Sequence, residues 1–325
     1  MKVFITRMIS PSGIQVLKNG GIEFRQWEEK RDIAQDELIS ICKDYDALIS
    51  VGQDNIDKRF LNACKHLKTI AQMAVGYDNI DIPEATRLKI PIGNTPGVLS
   101  SATADTAFLL MLAVSRKAFF MHKKIIKDEW GFYEPTANLG IELHGKTLGI
   151  YGLGKIGFEL AARCRNAFNM EIIYCNRKNN LLADQELEAA KISFEELLAQ
   201  SDVLSVHSAL TPETKGKFDI SAFSKMKKTS FFINTARGAI HNEIDLIKAL
   251  NERMIWGAGL DVTNPEPMHK DNPLLNMPNV AVLPHIGSAT QETRSAMARL
   301  AAENIVAASK GEGLPYMVNP EVYAK

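Results

Sequence analysis

The chain predicts an α/β protein built from two doubly wound parallel sheets. Short apolar runs alternate with amphipathic stretches along most of its length, the rhythm of parallel strands joined by crossover helices. Its 325 residues suffice for two medium domains, each with its own core. Residues 146–177 hold an apolar run, a glycine turn, a helical stretch and a second apolar run, in that order.

In chain order, strands are expected at 3–6, 22–24, 47–50, 69–73 and 90–92, with helices between them. Two glycine turns follow strand ends here, Val51-Gly52-Gln53 and Val75-Gly76-Tyr77. That edge of an open α/β sheet is where ligands bind. Gly76 leaves backbone amides exposed, and consecutive free amides can hold a carboxylate; glycine at 52 removes bulk. Residues 102–119 are apolar almost all round and predict one buried helix. Residues 123–140 lack apolar periodicity but hold Trp130, Phe132 and Tyr133, and predict an extended arm packed on a partner chain.

Further strands are expected at 148–151, 172–175, 203–206, 230–233, 255–260 and 280–283, with a capping box Ser193-Phe-Glu-Glu196 opening one helix. A final helix at 290–309 leads into residues that complete the first domain. The expected division is therefore 1–98 with 288–325 as one domain and 99–287 as the other.

The turn in the second domain reads Gly152-Leu-Gly154-Lys155-Ile156-Gly157. Gly152 permits a tight exit from the strand, Gly154 lets a pyrophosphate approach the backbone, and Gly157 lets the helix lie close to the sheet. The helix N-terminus adds free amides and partial positive charge for phosphates. This predicts a nucleotide-binding domain of the Rossmann type. Past the second strand stand Asn176, Arg177 and Lys178, where an acid would accept hydrogen bonds from the adenosine ribose. Two cations and no acid suit a 2′-phosphate, so NADPH is the expected cofactor, with NADH the alternative.

Arg237, Glu266 and His285 each follow an expected strand of this domain and therefore share the edge that carries the glycine turn. A forked guanidinium suits a planar carboxylate. An imidazole can give and take a proton near neutral pH, and a neighbouring carboxylate favours its protonated form. Together they supply what reduction of a 2-keto acid requires.

Composition narrows the partners. With 38 basic and 38 acidic residues the formal charge is zero, so nothing favours nucleic acid or an anionic membrane. The four cysteines are scattered and the seven histidines dispersed. Reduced thiols, a cytoplasmic location and no metal site are expected.

The stretches VGYDNID (75–81), HGKTLGIYGLGKIG (144–157), LTPETKG (210–216), INTARGAI (233–240), GAGLDVTNPEP (257–267), LPHIGSAT (283–290) and VNPEV (318–322) resemble the D-isomer-specific 2-hydroxyacid dehydrogenases. Within that family the resemblance is to the glyoxylate/hydroxypyruvate reductases, in the family's order and nearly end to end. It implies a flavodoxin-like substrate domain built from both termini, an inserted Rossmann domain and a homodimer. It also implies that Arg237 binds the substrate carboxylate and keto oxygen, that the amides of Val75 and Gly76 hold the carboxylate, that His285 is the acid/base with Glu266 its partner, and that Asp261 meets the nicotinamide carboxamide. The expected cofactor set comprises Gly152, Gly154, Lys155, Ile156, Gly157, Asn176, Arg177, Lys178, Thr235, Ala236, Asp261, His285 and Gly287.

Two positions depart from the family pattern: Ala209 replaces a usual proline and Thr263 a common phenylalanine. The alternatives are a 2-ketogluconate or phosphoglycerate type of D-2-hydroxyacid dehydrogenase and, in another class, a non-enzymatic dinucleotide-sensing protein. A phosphoglycerate enzyme would more naturally carry an acid at 176, and a formate enzyme would lack the Glu266 partner.

Overall fold

The computed structural model describes residues 1–52 and 54–324. The chain divides into two compact units, Met1–Leu99 with Ser288–Lys325, and Ser100–Gly287. In the first, β1 (Lys2–Ile5), β2 (Glu23–Gln26), β3 (Ala47–Ser50), β4 (Thr69–Gln72) and β5 (Ile92–Gly93) form one sheet in the order β2-β1-β3-β4-β5. Every pairing is parallel, and the order is the flavodoxin-like one.

Phe4, Leu48, Ile70 and Ile92 stand in register across four of these strands, all fully buried. Each such side chain contributes about 2 kcal/mol by leaving water. The C-terminal segment belongs to this unit. Buried Asn319 accepts from the Ile92 amide and donates to the Ile90 carbonyl and the Thr86 hydroxyl. Helix Gln291–Ser309, capped by Thr290, packs so tightly on helix Pro11–Asn19 that a Cβ on Gly13 would sit 2.6 Å from the Ala298 carbonyl oxygen.

The second unit holds β6 (Thr147–Tyr151), β7 (Glu171–Cys175), β8 (Ala190–Lys191), β9 (Val203–Val206), β10 (Phe231–Asn234), β11 (Gly257–Leu260) and β12 (Val280–Val282). They form a parallel sheet in the order β12-β11-β10-β9-β6-β7-β8. Alternate residues feed two cores. Leu148, Ile150, Val203, Phe231 and Ile233 pack on one face, Leu204, Val206, Phe232, Ala258 and Leu260 on the other. Burial on both faces explains why these strands read as continuous apolar runs.

Two expectations are corrected. The helix expected at 102–119 is two helices, Ser100–Ser115 and Ala118–Ile126. Lys117 between them is left-handed, at φ 54°, which ends a helix. Ile141, on the returning chain, donates its amide to the Ser115 carbonyl and so caps the first helix. The arm is accordingly helical through Ile126 and irregular only beyond it. The two-residue edge strand β8 was too short to show as periodicity. The capping box at Ser193 and Glu196 forms as expected. No helix among the described residues is long and apolar enough to cross a membrane.

Candidate active site

In the second unit the chain leaves β6 toward β7 on one side and returns to β9 on the other, so the loops after β6 and β9 diverge and open a crevice. The glycine turn occupies it. Gly152, at φ 94°, would place a Cβ 2.7 Å from the Ser208 amide nitrogen. Gly157, inside helix Lys155–Phe168, would place one 3.0 Å from Ile150 Cγ2. A Cβ on Gly154 would meet nothing within 4 Å. Gly152 is therefore demanded by the backbone around it and Gly157 is closely flanked, whereas Gly154, with exposed Lys155 and half-buried Ile156, borders open space.

His207 and Ser208, which the sequence reading left out, line the same crevice directly after β9. The available signal was their position behind an expected strand. Burial holds the His207 imidazole at a pKa of about 4, hence neutral, with Nε2 2.9 Å from Ser205 Oγ. Ser208 Oγ and Thr235 Oγ1 are buried with no hydrogen-bond partner among the described residues. Orphaned hydroxyls beside an open glycine and a helix N-terminus fit a polar phosphate- and sugar-bearing ligand.

Asn176 behaves differently from the expectation. Its side chain turns inward, accepting from the Leu153 amide at 2.7 Å and donating to the Leu153 carbonyl at 3.1 Å. It clamps the middle of the glycine turn, so its side-chain amide is already paired. Arg177 and Lys178 are exposed. Lys191, on β8, donates to the Arg177 carbonyl at 3.4 Å and brings a third cation.

Adjacent strands β10, β11 and β12 deliver the charged set. Arg237 is half-buried on the turn after Asn234, and its Nη1 donates to the Ala236 carbonyl at 2.8 Å. Ala236 is half-buried beside it. The next residue presses on the loop after β11: a Cβ on Gly238 would lie 1.9 Å from the Thr263 carbonyl oxygen. Thr263 is buried, and its hydroxyl donates to the Pro265 carbonyl, which accounts for a polar residue there.

His285 Nδ1 lies 3.1 Å from Glu266 Oε1, the histidine half-exposed and the glutamate less so. The histidine backbone is left-handed, at φ 54°, a conformation that costs a residue with a Cβ about 1–2 kcal/mol. Asp261 holds it there. Its carbonyl accepts the His285 amide, and its two carboxylate oxygens accept the amides of Ile286 and Gly287 at 2.8 and 2.7 Å. Burial pushes the Asp261 pKa up, against the pull of those two amides. Asp261 is 1% exposed and both its oxygens accept backbone amides, so it shapes the His285 loop.

In the first unit the chain switches direction between β1 and β3. There Gly52, at φ 93°, accepts from the Gln72 side chain at 2.9 Å. The Val51 amide donates to the Thr6 hydroxyl, which donates to buried Asp54 at 2.6 Å. Gln53, the third residue of that turn, lies outside the described residues. Val75 and Gly76 follow β4, half-buried, with the Val75 carbonyl accepting from Asn94 Nδ2 at 3.0 Å.

A seven-stranded parallel sheet with a glycine turn at its switch point defines a nicotinamide dinucleotide-binding fold, and an imidazole–carboxylate pair stands on the same edge. The sequence profile of the D-isomer specific 2-hydroxyacid dehydrogenase NAD-binding domain matches residues 108–287. The chain belongs to that family, a family of oxidoreductases. It is 44% identical over 326 residues to a glyoxylate reductase of Thermococcus litoralis, covering 99% of this chain and 97% of that one. Among solved structures, a glyoxylate reductase from Paecilomyes thermophila superposes with a TM-score of 0.86 at 35% identity, over 99% of this chain and 98% of that one. An NADPH-dependent glyoxylate/hydroxypyruvate reductase from Sinorhizobium meliloti, in complex with NADP and malonate, gives 0.85 at 28% identity, over 99% and 97%.

Proposed function

We propose that this protein reduces small 2-keto acids of the glyoxylate and hydroxypyruvate kind to D-2-hydroxy acids, using NADPH, in the cytoplasm. The observation that carries the proposal is the 3.1 Å His285–Glu266 pair on the edge that also bears Arg237 and the glycine turn. The bound dinucleotide supplies the hydride. As charge develops on the keto oxygen, His285 delivers a proton, and Glu266 on Nδ1 leaves Nε2 as the nitrogen available for that transfer. Arg237 binds the carboxylate and keto oxygen, and in the first unit the amides of Val75 and Gly76 are able to take a carboxylate. Gly152, Gly154, Lys155, Ile156 and Gly157 cradle the pyrophosphate. Thr235, Ala236 and Gly287 complete the cofactor wall.

The preference for NADPH rests on Arg177 and Lys178 past the end of β7, with Asn176 turned away. Following nicotinamide absorbance with NADPH and NADH against glyoxylate, hydroxypyruvate, pyruvate and 2-ketogluconate tests both parts. Glyoxylate and hydroxypyruvate should turn over fastest, and failure on all four acids would remove the proposal. Arg177→Asp should cost NADPH about 1–3 kcal/mol, roughly 5- to 150-fold in affinity, relative to NADH. An unchanged ratio would remove the cofactor argument alone.

The homodimer is inferred from the arm. Ile126, Trp130, Phe132 and Tyr133 are 71%, 79%, 96% and 80% exposed, an apolar set of the kind that marks an interface. Sedimentation velocity should give twice the mass of one chain. Ile126→Asp with Phe132→Asp should shift it to a monomer, and a wild-type monomer would defeat the inference.

A further inference from the structure

We propose that Asn234 and His241 act as a positioning pair for Arg237, a buried amide and imidazole that lock the turn on which the guanidinium is mounted. The proposal rests on the reading that Arg237 receives the keto-acid carboxylate.

Asn234 ends β10 and is fully buried. Its Oδ1 accepts the Ala236 amide at 2.9 Å, while Nδ2 donates to the Arg237 carbonyl at 2.9 Å and lies 3.1 Å from His241 Nδ1. A side-chain amide has two hydrogens to give, and here both are used. The pattern also fixes the orientation of the amide. Flipped, it would set oxygen against the Arg237 carbonyl and nitrogen against the Ala236 amide.

An asparagine alone could close such a turn. The histidine is the unusual part. Its backbone is bridged to Phe218, its ring packs edge-on to Phe232 with centroids 5.6 Å apart, and it is 1% exposed. Accepting at Nδ1 puts its proton on Nε2, yet Nε2 is buried with no partner among the described residues. A buried donor left unpaired is destabilising, so packing alone does not account for an imidazole in that place. What the imidazole adds is one acceptor, aimed at the asparagine that holds Arg237. Burial keeps the ring neutral, with a pKa of about 4, so the acceptor persists at ordinary pH. On the far side of Arg237, Gly238 rests on the Thr263 backbone, and the arginine is pinned before and after.

The test compares His241→Leu, which removes the acceptor, with His241→Asn, whose carbonyl oxygen can stand near the place of Nδ1. Oxamate, a planar 2-keto acid mimic, is titrated against the enzyme–NADPH complex, alongside steady-state kinetics with glyoxylate. In His241→Leu, oxamate affinity should fall and the glyoxylate KM rise by roughly tenfold, with kcat within about twofold. NADPH affinity and melting temperature should hold, and His241→Asn should recover most of the loss. Should His241→Leu fold poorly, His241→Phe asks the same question with a ring in place. Unchanged oxamate binding in a folded His241→Leu or His241→Phe enzyme would overturn the proposal, as would equal losses of oxamate and NADPH. Arg237→Lys separates the two readings: if it leaves oxamate binding intact, the role given to Arg237 fails, whatever His241 does.

Discussion

Replacing His285 by asparagine is expected to lower kcat for glyoxylate reduction by roughly 100- to 10,000-fold, the usual contribution of a positioned general acid, while NADPH affinity by fluorescence titration stays near wild type. Asparagine is preferred to alanine because His285 sits at φ 54°, and asparagine tolerates the left-handed region where alanine adds strain. A loss in the asparagine variant is then a loss of proton transfer and not of loop shape. The side chain is 40% exposed, so its removal leaves no core cavity and the melting temperature should move little. Glu266→Gln keeps a hydrogen-bond acceptor at similar length but loses the charge, and should cost about 1–3 kcal/mol in the barrier. Near-full turnover in the His285 variants, read by nicotinamide absorbance, would end the assignment of the acid.

Much of this edge was readable from the sequence for a specific physical reason. In a parallel sheet every strand ends on the same side, so a residue two or three places past an apolar run is placed on that edge without any tertiary knowledge. Arg237, His285 and the glycine turn qualify, and Glu266, six places past Leu260, lies on the longer loop from the same edge. What the rule cannot give is the direction a side chain takes once there. Asn176 turns inward to Leu153, and Asp261 turns to the amides of Ile286 and Gly287. Both choices depend on which backbone groups of another loop need partners.

The helix break at Lys117 escaped for a related reason. Apolar residues continue on either side of it, and the cap comes from Ile141, more than twenty positions later in the chain. His207 and Ser208 were accessible by the same strand-end rule and were missed because neither belongs to a motif with a stated charge. In three dimensions Ser208 is the backbone that Gly152 must clear. The Asn234–His241 pair is invisible in sequence because its two members stand seven positions apart and only a turn brings them together.

The three glycines of the turn differ in their surroundings: a Cβ would crowd neighbours at Gly152 and Gly157 and meet open space at Gly154. Gly154→Val is expected to fold normally and to lose the dinucleotide. Its backbone, at φ -95° and ψ -157°, suits any L-residue, and an added side chain enters open space. The position caps helix Lys155–Phe168, where valine is poorer than glycine by no more than about 1 kcal/mol. If the pyrophosphate lies against that backbone, a valine there displaces it from the helix N-terminus. Losing those charge-assisted hydrogen bonds costs about 3 kcal/mol, roughly 100-fold in Kd for NADPH and NADH alike. Gly152→Ala should invert the pattern. A Cβ at φ 94° and 2.7 Å from the Ser208 nitrogen forces strain of about 1–3 kcal/mol on the fold, read as a lower melting temperature even without ligand. A Gly154→Val protein that binds NADPH like wild type would mean that phosphates do not approach this turn, and the dinucleotide would have to be held somewhere else on the sheet edge.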